Sequence, residues 1–142
     1  MADIDDRITV VREWVEKADN DLKNASHTLK LGADCPTDTV CFHAQQCVEK
    51  YLKALLVLRD TRFPKTHSIS ELLRLLPKDL WPRRDIREQE WLTDFAVTTR
   101  YPGDYEFIPL TEAREAVLMA RRVRQDVRKF LPPKVLKSRK QR

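Results

Sequence analysis

Prolines and glycines divide this chain into segments of helical length. The sequence contains eight prolines and only two glycines, Gly32 and Gly103. Glycine-rich phosphate loops, β-sandwiches and β-barrels usually need more glycine in their turns than this chain carries. Proline interrupts a helix but is tolerated at its ends, so the stretches between these breaks predict an all-α protein. At 142 residues the chain has the size of one domain.

Five segments between the breaks carry apolar residues at helical spacing. They span about residues 7–31, 37–60, 68–76, 84–99 and 111–131. The first two are long and are joined by a short connection that begins at Gly32. They are therefore expected to pack antiparallel at the centre of an up-and-down bundle of about five helices. Ser68 and Glu71 match a capping box for the third segment, and Thr111 is predicted to be the N-cap of the fifth.

Positive charge is concentrated towards the C-terminus. Residues 121–142 contain ten basic residues and one acid, a net charge of +9, whereas the other 120 residues sum to −4. The expected organisation is a helical domain over residues 7–131 followed by a basic disordered tail over residues 132–142. An anionic partner for this end is one interpretation, and a solvated tail that keeps the protein soluble is the other.

Arginines recur along one side of the fifth segment. Arg114, Arg121 and Arg128 are spaced by seven residues and form one stripe, with Arg124 beside it. A row of arginines suits a phosphate backbone. The alternative is that these arginines pair with acids on the first segment or across a dimer, with their stems covering the apolar stripe.

The cysteines and histidines do not predict a metal site or a cofactor. The three cysteines lack the spacing of a zinc or redox motif, which predicts reduced packing residues (Cys35, Cys41 and Cys47). The three histidines have no partner at ligand spacing on one helix (His27, His43 and His67). The N-terminus is acidic and no apolar run is long enough to span a bilayer. A cytoplasmic protein without a membrane segment is expected.

The stretch from Arg100 to Tyr105 is the most unusual local sequence. Its proline and glycine suit the two central positions of a type II turn between two tyrosines. A guanidinium beside aromatic rings could clamp and stack on a nucleotide or on single-stranded RNA. The simpler interpretation is that the arginine caps a helix C-terminus and the tyrosines close the end of the bundle.

Several stretches, taken in order, resemble the HEPN domain family of prokaryotes. The resemblance covers residues 7–131. Its motifs are Trp14…Ala18-x-x-Asp21-Leu22…Ala25, then FHAQQCVEKYLKALL over residues 42–56, KTHSI over residues 65–69 and TRYPGD over residues 99–104. The resemblance implies an all-α bundle that pairs as a homodimer. It also implies one of two activities: a metal-independent toxin ribonuclease restrained by a minimal nucleotidyltransferase, or a nucleotide-binding module.

Carried onto this sequence, the arginine of the family ribonuclease motif falls on Arg100. In the family motif four to six residues separate that arginine from a histidine, and the corresponding positions in this chain are Tyr105, Glu106 and Phe107. Histidine can accept or donate a proton near neutral pH, whereas tyrosine is a poor base there. The resemblance therefore leaves Arg100 as the candidate catalytic residue, without its usual partner. Whether the chain is an enzyme stays open.

The expected function is a module that binds nucleotide or RNA and acts with a nucleotidyltransferase in a toxin–antitoxin-like pair. The candidate binding residues are Arg100, Tyr101, Asp104, Tyr105, Lys50 and Lys53. Tyr105 is also a candidate acceptor of a nucleotidyl group from the partner. One alternative is a ribonuclease that uses Arg100 with an unidentified base, for which His43 or His67 would have to reach it. Another is a structural protein that only dimerises and docks a partner.

Overall fold

The protein is an all-α bundle. The computed structural model describes residues 4–82, 86–96 and 107–137. Six α-helices lie in these ranges: α1 (Ile4–Leu29), α2 (Thr37–Leu58), α3 (Ile69–Arg74), α4 (Ile86–Glu90), α5 (Leu110–Arg128) and α6 (Pro133–Leu136). Short 3₁₀ turns lie at Gly32–Asp34, Lys78–Leu80 and Trp91–Phe95. The all-α expectation is confirmed.

Helix α2 is the centre of the bundle. It packs along α1 on one side and against α5 on another, and 14 of its 22 residues are buried. Arg7, near the start of α1, donates to the carbonyl oxygen of Leu58 at the end of α2 (3.2 Å), so the two long helices run antiparallel. Because α2 is enclosed on more than one face, several of its polar residues are buried and need partners.

The connection between α1 and α2 turns at Gly32. Its φ of +62° lies in the left-handed region, where a side chain would be strained. The regular helix ends at Leu29, two residues before the sequence suggests, because the N–H groups of Lys30 and Leu31 bond three residues back, to His27 and Thr28.

The predicted cap of the third helix is confirmed. The Ser68 side chain accepts a hydrogen bond from the backbone N–H of Glu71 (3.2 Å). The Glu71 carboxylate does not return to the Ser68 backbone as a capping box would. Thr66 intervenes instead: its hydroxyl donates to Glu71 (2.5 Å) and accepts from the Ser68 N–H (3.1 Å).

The predicted fourth helix is shorter than expected. Within residues 86–96, regular α-helix covers Ile86–Glu90, and the chain then tightens into the 3₁₀ turn Trp91–Phe95. Tryptophan, threonine, aspartate and phenylalanine in this turn are weak helix formers. Leu92 and Ala96 are buried, whereas residues 84–85 and 97–99 of the predicted segment lie outside the described residues.

The predicted N-cap of the fifth helix is wrong. Thr111 lies inside the first turn of α5, and Pro109 is the N-cap. The Pro109 carbonyl accepts from the N–H groups of Glu112 (3.0 Å) and Ala113 (3.2 Å). A proline can start a helix through its carbonyl although it supplies no side-chain cap. The presence of a capping residue type at Thr111 therefore does not mark the start of this helix.

The chain after Leu131 differs from the expected disordered tail. Pro133–Leu136 forms the one-turn helix α6, which packs against α1. Val135 is 2% exposed, and the carbonyl oxygen of Lys134 accepts two hydrogen bonds from Arg12 (2.6 and 3.1 Å). Apolar burial and a charged donor therefore order this turn despite its basic composition. Residues 138–142 lie outside the described residues.

The predicted packing role of the cysteines agrees with the structure. Cys35, Cys41 and Cys47 are free thiols in the core. Burial raises the pKa of Cys41 to about 12 and also raises the pKa of Cys47, so both stay protonated. Among the described helices, none is long and apolar enough to cross a membrane.

Candidate functional site

The structure describes two of the six candidate binding residues. Lys50 and Lys53 lie on α2, whereas the other four fall outside the described residues (Arg100, Tyr101, Asp104 and Tyr105). Both lysines are partly or largely buried and both are in ion pairs. Their ammonium groups therefore belong to two polar clusters on α2.

The first cluster centres on Asp21 of α1. One carboxylate oxygen is 2.8 Å from Nδ1 of His43, and the other is 2.5 Å from Nζ of Lys50. Asp21 is 7% exposed, so its charge depends on these two donors for stabilisation. His43 and Lys50 are seven residues apart, two helical turns, and so reach the same carboxylate from one side of α2.

The second cluster centres on Glu49 of α2. Its Oε1 is 2.8 Å from Nδ1 of His67 and accepts from Nε2 of Gln45 (3.1 Å), while its Oε2 accepts from Lys53 (3.0 Å). Glu49 and Lys53 therefore form an ion pair across one turn of α2. Gln45, Glu49 and Lys53 are four residues apart in turn and form a buried polar row. The Lys53 ammonium also lies near two aromatic rings, 5.5 Å from Trp14 and 5.7 Å from Phe63.

Each cluster fixes the orientation of a histidine ring. A carboxylate only accepts hydrogen bonds, so the neutral rings of His43 and His67 carry their proton on Nδ1 and leave Nε2 as an acceptor. The His67 side chain is 59% exposed and that of His43 is 31% exposed. No carboxylate lies near either histidine at helical spacing in the sequence, because Asp21 is 22 residues from His43 and Glu49 is 18 residues from His67.

A third cluster joins three helices around Asp19. The Asp19 carboxylate accepts a hydrogen bond from the buried Tyr51 hydroxyl on α2. It also pairs with two arginines of α5: Arg124 (2.9 Å) and Arg128 (3.7 Å). The expected alternative, that these arginines pair with an acid on the first segment, is confirmed for both. Burial, together with the bond to Asp19, raises the pKa of Tyr51, so its hydroxyl stays a neutral donor.

An open groove runs between α1 and α5 beside Asp19. It has a volume of about 700 Å³. Its lining holds four positive side chains and one carboxylate, a net charge of +3 (Lys23, Arg121, Arg124, Arg128 and Asp19). Arg121 donates to the Ser26 hydroxyl (3.1 Å), and a hydroxyl positions the guanidinium without neutralising its charge. We name this surface the α1–α5 groove. Its charge suits a polyanion.

The described residues contain no group of three or more metal-ligating side chains that could hold an ion. The two histidines have one carboxylate each, and a lysine occupies the opposite side of that carboxylate. The chemistry available to these clusters is therefore hydrogen bonding and proton transfer at Nε2 of each ring.

Comparisons with known proteins agree with this architecture. The family model described as "HEPN domain" matches residues 11–130. The protein named "Putative toxin MJ1304" from Methanocaldococcus jannaschii is 30% identical, over 94% of this chain and 96% of that protein. The crystal structure of TT1696 from Thermus thermophilus superposes with a TM-score of 0.70 at 32% identity, covering 85% of this chain and 98% of the other.

A second solved structure, that of ST0689, is described as an archaeal HEPN homologue. It superposes with a TM-score of 0.66 at 28% identity, covering 84% of this chain and 96% of the other. The family match spans α2, the three polar clusters and nearly all of the bundle. The chain belongs to the HEPN domain family.

Proposed function

We propose that this HEPN protein binds RNA through its phosphate backbone and acts in a toxin–antitoxin-like pair. The net charge of +3 in the α1–α5 groove carries the proposal. Neutralising phosphates with lysine and arginine releases counterions, which is the main source of affinity in sequence-independent binding. The similarity to a protein named as a toxin supports the same role.

The groove favours a strand of RNA over a single nucleotide. Arg121 and Arg128 lie two helical turns apart, which places them about 10 Å apart along α5. Arg124 lies between them, and Lys23 faces the row from α1. One nucleotide would leave part of this row without phosphate, whereas a strand places successive phosphates along it.

Arg100, Tyr101, Asp104 and Tyr105 are proposed to contact the same RNA or a bound nucleotide. The arginine would pair with phosphate and the tyrosines would stack on bases. Lys50 and Lys53 are assigned a smaller share of phosphate binding, because Asp21 and Glu49 already neutralise them. Nucleotide binding that survives Arg100→Ala would remove that residue from the proposed site.

The partner is proposed to be a minimal nucleotidyltransferase, with the HEPN chain acting as a homodimer. Tyr105 is the proposed acceptor of a nucleotidyl group. If Tyr105→Phe is modified by the partner as completely as the unchanged chain, that assignment is incorrect. A monomer mass in solution at micromolar concentration would contradict the proposed dimer.

Salt dependence of RNA binding tests the groove. The affinity of a mixed-sequence, single-stranded oligoribonucleotide is measured over a range of salt for the unchanged chain and for Arg121→Ala. Arg121 is exposed, and its bond to the Ser26 hydroxyl is one between neutral oxygen and guanidinium at the surface, so its removal should not disturb the fold. Each lost phosphate contact lowers the slope of log affinity against log salt by about 0.7 for single strands. Adding Lys23→Ala should lower it by about 1.4 in total.

Arg74→Ala is the matched control, because this arginine is also exposed but lies on α3 and does not line the groove. It should leave the slope unchanged. Equal slopes for Arg121→Ala, Arg74→Ala and the unchanged chain would place RNA elsewhere. Absence of measurable RNA binding at low salt would contradict the proposed function as a whole.

A further inference from the structure

We propose that the Asp19 carboxylate competes with RNA phosphates for Arg124 and Arg128, and so lowers the affinity of the α1–α5 groove for RNA. The inference rests on the RNA binding proposed above and adds a control of its strength. Two features of the structure carry it: the geometry of the carboxylate against the two guanidinium groups, and the buried hydroxyl that holds the carboxylate in place.

The Asp19 carboxylate offers one oxygen to each arginine. Oδ1 accepts a hydrogen bond from Nε of Arg124 (2.9 Å), and Oδ2 lies 3.7 Å from Nη1 of Arg128. All three side chains line the α1–α5 groove. A phosphate group also presents two oxygens to arginine side chains in this way. In the free protein, Asp19 therefore makes the contacts that an RNA phosphate would make with these two residues.

The carboxylate is tethered, whereas the arginines can turn away from it. The Tyr51 hydroxyl, which is fully buried on α2, donates a hydrogen bond to Oδ1 of Asp19. The side chains of Arg124 and Arg128 are 38% and 26% exposed, and each guanidinium ends a long chain of single bonds. RNA is therefore expected to draw the guanidinium groups away from Asp19, while Asp19 stays bonded to Tyr51.

This exchange of partners costs affinity. An arginine that moves onto a phosphate gives up a carboxylate, so only the difference between the two ion pairs contributes to binding. Burial alone would lower the pKa of Arg124, but the hydrogen bond to Asp19 outweighs burial and raises it, because the carboxylate stabilises the charged guanidinium. Arg121 differs, because it donates to the neutral Ser26 hydroxyl and giving up that bond breaks no ion pair.

Asp19 therefore has opposite effects on folding and on binding. In the free protein its ion pairs join α5 to α1, and its bond to Tyr51 joins α1 to α2. These contacts stabilise the bundle, whereas competition for the arginines weakens RNA binding. Removal of the charge is expected to make the chain less stable and its RNA binding tighter. A residue with only a structural role would lose stability without any gain in affinity.

The test is the RNA affinity of Asp19→Asn. The amide keeps the shape of the side chain and an oxygen that accepts from Tyr51, but it carries no charge. Binding of a mixed-sequence, single-stranded oligoribonucleotide is measured by fluorescence anisotropy. At low salt, Asp19→Asn is expected to bind at least about tenfold more tightly than the unchanged chain, and the gain should shrink as salt is raised. Thermal unfolding without RNA should give a lower Tm for the variant.

Asp34→Asn is the matched control, since it removes the same charge at an exposed position that does not line the groove. Its RNA affinity should change by less than about twofold. If circular dichroism shows that Asp19→Asn is not folded, the combination of Asp19→Asn with Tyr51→Phe replaces it, because no buried phenol then needs a partner. The same gain in affinity is expected from this pair of substitutions.

Removing both arginines, as Arg124→Ala with Arg128→Ala, separates competition from simple repulsion. If Asp19 only repelled phosphates, its charge would act at least as strongly once the arginines that partly neutralise it are gone. Under competition, nothing is left to compete for. Asp19→Asn is therefore expected to raise RNA affinity by less in this background than in the otherwise unchanged chain. The four affinities form a double-mutant cycle.

Three outcomes would overturn the inference. They are RNA binding by Asp19→Asn that is no tighter than that of the unchanged chain, an equal gain for Asp34→Asn, and a gain from Asp19→Asn that is undiminished without the two arginines. In each case, salt-dependent RNA binding by the unchanged chain would leave the proposed function standing. If neither the unchanged chain nor Asp19→Asn binds RNA, both fail.

Discussion

Asp19 serves two other helices with a single carboxylate. It accepts from the buried Tyr51 hydroxyl on α2 and pairs with Arg124 and Arg128 on α5. The Asp19 side chain is 24% exposed, so solvent screens the arginine pairs. The phenol is different, because Tyr51 is fully buried and the arginines beside its hydroxyl are donors that cannot accept its proton.

Asp19→Ala is therefore expected to destabilise the bundle by about 2 kcal/mol, mainly through the unsatisfied phenol. Urea unfolding followed by circular dichroism measures this change. Asp34→Ala is the control, since that aspartate is exposed, and it should change stability by less than about 0.5 kcal/mol. Adding Tyr51→Phe to Asp19→Ala should recover part of the loss. Equal effects of Asp19→Ala and Asp34→Ala would contradict this account.

The sequence alone predicts some of the side-chain ion pairs but not those between separate helices. Glu49 and Lys53 lie one turn apart on one helix, so their ion pair follows from spacing alone. Asp21 with His43, and Glu49 with His67, depend on how α1 and the chain before α3 rotate against α2. Sequence periodicity defines the apolar face of a helix but not which flanking residues of two helices meet.

Glu90 ties the N-terminus of α3 to α4. Its carboxylate accepts from the Ser70 N–H (2.6 Å) and from the Ser68 hydroxyl (3.3 Å). Burial by itself would raise the pKa of Glu90, but the hydrogen bonds from Ser70, Thr93 and Ser68 outweigh burial and lower it. The charged form is therefore favoured by folding.

The sign of the pH dependence follows from that lowered pKa. Glu90 stabilises the folded state above its unfolded pKa of about 4.3, and this contribution is lost as the pH falls through the lower folded value. Glu90→Gln should be less stable than the unchanged chain at pH 7, and the difference should shrink on acidification below about pH 4. Unfolding free energies against pH measure this. Glu13→Gln, at an exposed position, should show no such convergence, and a constant gap for Glu90→Gln would contradict the assignment.

Helix α6 contributes to stability through one buried side chain. Val135 is 2% exposed against the core, although the turn that carries it is only four residues long. Val135→Ala is expected to cost about 1–2 kcal/mol, from two lost carbon groups and the space they leave. Thermal unfolding measures the loss. Leu118→Ala, at a 41% exposed position on α5, should cost much less, and a similar effect of both would indicate that α6 is not docked.

Helix positions were predictable and helix ends were not. The apolar periodicity of α1, α2 and α5 recurs over four or more turns, so the signal is strong. The start of α5 depends on the carbonyl of Pro109 and not on Thr111. The existence of α6 depends on a pocket for Val135 and on Arg12, which belong to a distant part of the chain.

In the folded molecule, basic residues from the positively charged C-terminal part of the sequence line the α1–α5 groove. Helix α1, which carries Asp19, and the basic helix α5 lie side by side, and Asp19 pairs with two of the arginines of α5. Composition correctly located the positive end, but the remaining charge of the groove is known only once Asp19 is seen to pair with two arginines. The proposed RNA site and its salt dependence belong to this scale, since they arise from two helices together.

The chemical reactivity of the Lys53 amine can report local opening of the bundle around α2. The amine is enclosed by Glu49, Trp14 and Phe63 and is nearly inaccessible to solvent. An acylating reagent must wait for α2 to separate from the surrounding chain before it can reach this nitrogen. The ratio of its labelling rate to that of the exposed lysines, read by mass spectrometry, therefore gives the population of that opened form. The lysine that neutralises a buried carboxylate can therefore be used to measure local opening of the bundle, and no probe has to be introduced.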